Sequence, residues 1–81
     1  MTDAELLSSL ERLVSRLGIE LRKDDGKFTG AIYRHNGKQV FLINSRLSEL
    51  KTIQVICREL AHQDLSDVFI LPAIRERITQ G

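Results

Sequence analysis

The sequence predicts an α+β domain: an N-terminal helix, a three-stranded, mainly antiparallel sheet, then two helices. Three observations lead there. Apolar residues recur at helical spacing from Leu6 to Leu17. Two apolar-rich runs, residues 28–34 and 39–44, bracket the pair Asn36-Gly37. A second helical stripe then runs from Leu50 to Leu60. With 81 residues the chain is expected to form one domain, residues 1–81, with a small core.

The first helix opens on Thr2-Asp3-Ala4-Glu5, a capping box in which hydroxyl and carboxylate satisfy the free amides of a helix start. Leu6, Leu7, Leu10, Leu13, Val14 and Leu17 form its apolar stripe, and Gly18 is a natural stop. Residues 19–22 alternate apolar and polar, as a short strand does, and Asp24-Asp25-Gly26 turns the chain. Asn36-Gly37 tolerates the positive φ of a type I′ turn, so residues 28–34 and 39–44 are expected to form a hairpin. A two-residue loop sets the register: His35 faces Lys38, Tyr33 faces Val40 and Ala31 faces Leu42, with Ile32–Phe41 and Gly30–Ile43 on the opposite side. Val40-Phe41-Leu42-Ile43 is apolar on both sides, which predicts a strand buried on both faces or covered by helices.

Ser45 or Ser48 can cap the next helix, expected to reach about Gln63. Leu50, Ile53, Ile56, Cys57 and Leu60 form its core stripe, with Lys51, Val55, Arg58 and His62 on roughly the opposite side. Residues 65–71 are too few to classify by periodicity. Pro72 suits the first turn of a last helix carrying Ile74 and Ile78.

Composition excludes several classes. Twelve basic against eleven acidic residues give no bias toward nucleic acid, membranes or acidic substrates. One cysteine makes no internal disulfide. Asp3, Glu5 and Glu11 interrupt any apolar leader, and no window approaches the ~18 apolar residues of a membrane span. A cytoplasmic protein without cofactor is expected. No phosphate-binding loop pattern occurs, and Gly26, Gly30 and Gly37 mark turns or strand kinks. No serine stands in a nucleophile-elbow context.

The chemistry-bearing stretch is Cys57-Arg58-Glu59-Leu60-Ala61-His62. It resembles the metallopeptidase motif H-E-x-x-H with Arg58 at the first histidine. Two histidines four apart on a helix share one zinc ion, with the glutamate acting on its water. A guanidinium offers no lone pair. Together with Ile43-Asn44-Ser45-Arg46-Leu47-Ser48, the stretch is similar to the ImmA/IrrE-type zinc metallopeptidases. There a strand ending I-N-x-x-L-S leads into a helix bearing A-H-E-L-G-H. The likeness covers about residues 30–64.

That resemblance implies that Glu59 matches the general base and His62 the second zinc ligand. Arg58 takes the place of the first, Cys57 stands where alanine is usual and Ala61 where glycine is usual. Asp64, Asp67 and Glu76 are all available as a third ligand. Loss of the first ligand implies loss of peptidase activity and survival of the frame, as an interaction or regulatory module. Restoring histidine at 58 is expected to move the chain toward metal binding if the downstream ligand remains.

Ordinary roles compete with each of these. Glu59 and His62, or Arg58 and His62, are common helix-surface neighbours, and a solvated pair is worth ~0–1 kcal/mol. Cys57 lies on the core stripe, which favours a buried inert thiol. Cys57 and His62, five apart, sit about 140° apart around a helix, poor geometry for a dyad. The apolar run Val68-Phe69-Ile70-Leu71 is the expected interaction surface, with Arg58, for a protein partner or a second copy. A residual hydrolase using Glu59 and His62, its metal completed by Asp64, Asp67 or Glu76, is the enzymatic alternative. A third reading puts nucleic acid on the sheet, over Tyr33 and Phe28 near Arg22, Lys23, Lys27, Arg34 and Lys38, a charge cluster offset by Asp24 and Asp25.

Overall fold

The structure is a computed structural model that describes residues 1–80. Its elements are α1 (Asp3–Arg16), β1 (Glu20–Asp24), β2 (Gly30–His35), β3 (Lys38–Asn44), α2 (Glu49–Leu60) and α3 (Pro72–Gln80). The α+β class and the order of elements are those the sequence predicts.

Local chemistry sets the element ends. Thr2 Oγ1 accepts from the Glu5 amide at 3.1 Å and the Glu5 carboxylate from the Thr2 amide at 3.0 Å, closing the capping box. At the other end Gly18 has φ 78°, its amide bonds to Ser15 O, and the Ile19 amide reaches back to Val14 O. This is a Schellman motif, and it turns Ile19 into the core. In the hairpin, Asn36 (φ 51°) and Gly37 (φ 77°) both take the left-handed conformation of the type I′ turn. The register follows, with His35 opposite Lys38, Tyr33 opposite Val40 and Ile32 opposite Phe41.

The sheet is mixed, in the order β1-β3-β2. β3 is central, antiparallel to β2 and parallel to β1, with Leu21 beside Phe41 and Lys23 beside Ile43. The helices pack on one face only, where Phe41 and Ile43 join Leu10, Val14, Ile53, Ile56 and Leu60 in one core. On the other face Val40 is also buried, between its cross-strand neighbours Glu20 and Tyr33, while Leu42 is half-buried. Both-sided burial of β3 thus extends to Val40 without a second layer.

Two assignments on α2 are corrected. Leu50, expected in the core, is 50% exposed, whereas Val55, expected on the solvent side, is buried. The helix packs against α1, β2 and α3 together, so its buried arc is wider than a single stripe and centres away from its first turn. Val55 is buried because α2 approaches β2 closely at Gly30. A Cβ there would lie 2.8 Å from Val55 Cγ1 and 3.1 Å from Leu42 O. Gly30→Ala is expected to cost about 1–3 kcal/mol by overpacking. Urea denaturation checks this, and in a double-mutant cycle G30A/V55A should be less destabilised than the sum of the single changes.

Residues 61–71 form a loop, with a turn that bonds the Val68 amide to Leu65 O. Among the described residues no helix is long and apolar enough to cross a membrane.

Candidate functional site

The stretch that resembles a zinc motif lies at the end of α2. Ser48 caps the helix, its Oγ accepting from the Lys51 amide at 3.1 Å. Ala61 closes it, so the helix ends at Leu60 rather than near Gln63. The His62 and Gln63 amides bond three residues back, to Glu59 O and Leu60 O, tightening the last turn. His62 therefore leaves the helical path that would stack it one turn above residue 58, and it is exposed.

Arg58 and Glu59 turn toward the open edge of the sheet. The Asn44 amide bonds to Thr29 O, so alternate residues of β2 face β3, and the polar backbone groups of Gly30 and Ile32 point outward. Glu59 Oε1 accepts from the Ile32 amide at 3.3 Å, and Arg58 Nη2 donates to Gly30 O at 3.4 Å. Arg58 Nε and Glu59 Oε2 are 3.6 Å apart. Two side chains thus stand where a neighbouring strand would bond. This occupies an edge that would otherwise template pairing with another chain.

The downstream metal-ligand candidates do not assemble with them. Asp64 accepts from Ser66 Oγ at 2.7 Å and from the Ser66 amide at 3.1 Å, bonds that hold its carboxyl below the usual range. Asp67 is an exposed loop residue, and Glu76 on α3 accepts from Gln80 at 3.3 Å. Among the described residues, no three His, Cys, Asp or Glu side chains gather as a metal set. With no third donor nearby, Arg58→His is expected to bind zinc only weakly. A competitive chelator titration checks this, and stoichiometric tight uptake would contradict it.

Cys57 is buried, and burial pushes its thiol up against a smaller opposing effect of Arg77. The thiolate is suppressed, so Cys57 should react with a disulfide reagent at pH 8 only as fast as the chain opens, and fully in denaturant. Fast native labelling would contradict this.

Every residue that carries the I-N-x-x-L-S likeness has a task in the fold. Ile43 is buried and Leu47 packs against the core. Ser48 caps α2. Asn44, whose structural role the sequence reading missed, is a clamp. Its Nδ2 donates to Gly26 O at 2.9 Å and Phe28 O at 2.7 Å, and its Oδ1 accepts from the Arg46 amide at 2.9 Å. An asparagine between an apolar strand and a capping serine was the available signal.

The apolar run at 68–71 divides. Ile70 is core and Val68 is half-buried against it, correcting their assignment to a surface. Phe69 and Leu71 project, 72% and 49% exposed. They flank a groove of about 210 Å³ floored by Leu13, Ile70 and Ile74, with Arg12 and Arg16 on its wall. Arg16 Nη2 donates to Phe69 O at 3.2 Å, tying this loop to α1. Arg58 lines a different cleft.

On the uncovered sheet face Tyr33 is 41% exposed. Two of the nearby basic residues share one carboxylate: Arg22 pairs with Glu20, and Lys38 Nζ lies 3.9 Å from the same side chain. The Arg22 bond holds the Glu20 carboxyl below its ordinary range. Phe28 precedes β2, and its ring lies beside Gly26.

Compared with known protein families, with curated proteins and with solved structures, the chain finds no match.

Proposed function

We propose that this chain is a non-catalytic interaction domain built on a metallopeptidase-like frame, and that it binds a protein partner through the Phe69–Leu71 groove. The observation that carries this reading is the exposure of Phe69 on a tethered loop. A large aromatic at 72% exposure contributes no core energy, yet Arg16 and the buried neighbour Ile70 hold its backbone in place. Aromatic side chains, Phe among them, are enriched in protein interfaces relative to the rest of the surface. Arg12 and Arg16 set the chemistry of the partner: an apolar side chain entering the groove, flanked by carboxylates.

The frame supports the reading in a second way. The residues that resemble the peptidase family build the strand, clamp and helix cap, whereas the positions that would bind metal are Arg58 and a displaced His62. The frame is kept by packing, independently of the zinc chemistry.

The test is site-specific photocrosslinking with benzoylphenylalanine at position 69 in the native host, using position 36 in the hairpin turn as control. A discrete adduct from 69, lost on adding Arg16→Glu and absent from 36, is the expected result. Adducts no stronger from 69 than from 36 would refute the proposal. Light scattering on the purified chain then separates the two kinds of partner, since an adduct of twice the chain mass requires a concentration-dependent dimer.

A further inference from the structure

α2 and α3 line a cleft of about 450 Å³ that shares no residue with the Phe69 groove. Its lining is chemically one-sided. Lys51, Arg58 and Arg77 supply three cations, Gln54 and Gln80 supply amides, and no carboxylate lines it. The chain as a whole is nearly neutral, at +1, so this concentration is local rather than a consequence of composition.

The arginines are the informative members. Arg77 is half-buried, and no carboxylate among the described residues lies within ion-pair distance of it. A half-buried guanidinium with no carboxylate among the described residues beside it is disposed to take up an anion from the cleft. Arg58 uses one donor on Gly30 O and leans its Nε toward Glu59, leaving most of its five N–H groups uncommitted. Glu76, the acidic residue of α3, does not line the cleft and accepts from Gln80 Nε2 at 3.3 Å, which engages one of the lining amides. Two guanidiniums and an ammonium around one concavity match a tetrahedral oxyanion, which arginine forks grip in pairs.

We infer that the α2–α3 cleft is a binding site for a phosphate group, carried by a small molecule or free in solution, held by Lys51, Arg58 and Arg77. The site is independent of the Phe69 groove and stands or falls without the interaction reading.

The test is amide-resolved NMR of the full chain titrated with inorganic phosphate and with pyrophosphate, at constant ionic strength set by chloride. Saturable shifts centred on Gln54, Arg58 and Arg77 are expected. Arg77→Gln and Lys51→Gln should each weaken binding roughly tenfold, the loss of one charge-assisted contact. Lys51 is exposed, so that variant keeps the test valid if Arg77→Gln fails to fold. Phe69→Ser should leave the shifts unchanged. A response to phosphate but no gain with pyrophosphate assigns a single phosphate; a gain assigns a diphosphate-bearing ligand. Shifts that do not saturate, that spread equally over Arg22 and Arg46, or that survive both charge removals would overturn the inference.

Discussion

Phe41→Ala is expected to remove most of the stability of this domain, by about 3–5 kcal/mol. Phe41 is fully buried at the middle of the central strand, with β1 bonded on one side and β2 on the other. Its ring lies in the same core as residues from α1 and α2, so truncation opens a cavity where the layers meet. Collapse around it is restricted because the strand is held from both edges. A chain of 81 residues at ordinary specific stability has about 4–12 kcal/mol in total. The loss is therefore comparable with the whole, and the variant should melt near or below room temperature or fold only partly. Circular dichroism melting and urea titration read this directly. A drop under 1 kcal/mol would mean that the sheet and helices do not share one core.

Asn44→Ala is the second large effect, about 2–3 kcal/mol. One amide bonds two carbonyls of the β1–β2 loop and one amide of the turn into α2. No other side chain among the described residues donates to Gly26 O or Phe28 O. Asn44→Asp separates the parts of the clamp. The carboxylate still accepts from the Arg46 amide but sets negative charge against two carbonyls, so it should be at least as destabilising as alanine. Hydrogen exchange locates the damage: faster exchange is expected at residues 25–29 and 45–47. Uniform loss of protection would indicate global unfolding instead of a released loop.

If the frame is metallopeptidase-like, as proposed, these two positions explain how it can outlast its chemistry. Phe41 and Asn44 act within the core and the loop clamp, and neither depends on a metal. Arg58 and Glu59 have a structural use of their own at the edge of β2, where their side chains meet Ile32 N–H and Gly30 O. The pair, Arg58 exposed and Glu59 half-buried, contributes little energy, ~0–1 kcal/mol. Its effect is to occupy backbone groups that a foreign strand could otherwise use.

The features that were legible in the sequence are those whose causes lie within a few residues. The capping box at Thr2–Glu5, the stop at Gly18, the I′ turn at Asn36-Gly37 and the hairpin register each follow from backbone constraints acting over one turn. The burial of Ile53, Ile56, Cys57 and Leu60 follows from helical periodicity. Beyond that range the sequence was ambiguous. The pairing of β1 with β3, in parallel and across the hairpin, depends on which edge of the central strand is free once α1 has packed. Val55 and Leu50 exchanged places because burial on α2 is set by three neighbours, including a glycine on β2 that admits the helix.

The site was less legible for the same reason. Spacing placed Arg58 and His62 on one helix face with Glu59 flanking it, but the helix ends before His62, and Arg58 and Glu59 turn to a strand edge. Arg77 and Lys51 are 26 positions apart and meet only because α2 and α3 enclose one cleft. By itself the chain determined its local conformations, its hairpin and its apolar stripes, since these arise from short-range sterics and hydrogen bonds. Tertiary structure alone decided which edge is free, which aromatic is exposed and which charges converge, because those depend on contacts between residues far apart in the chain.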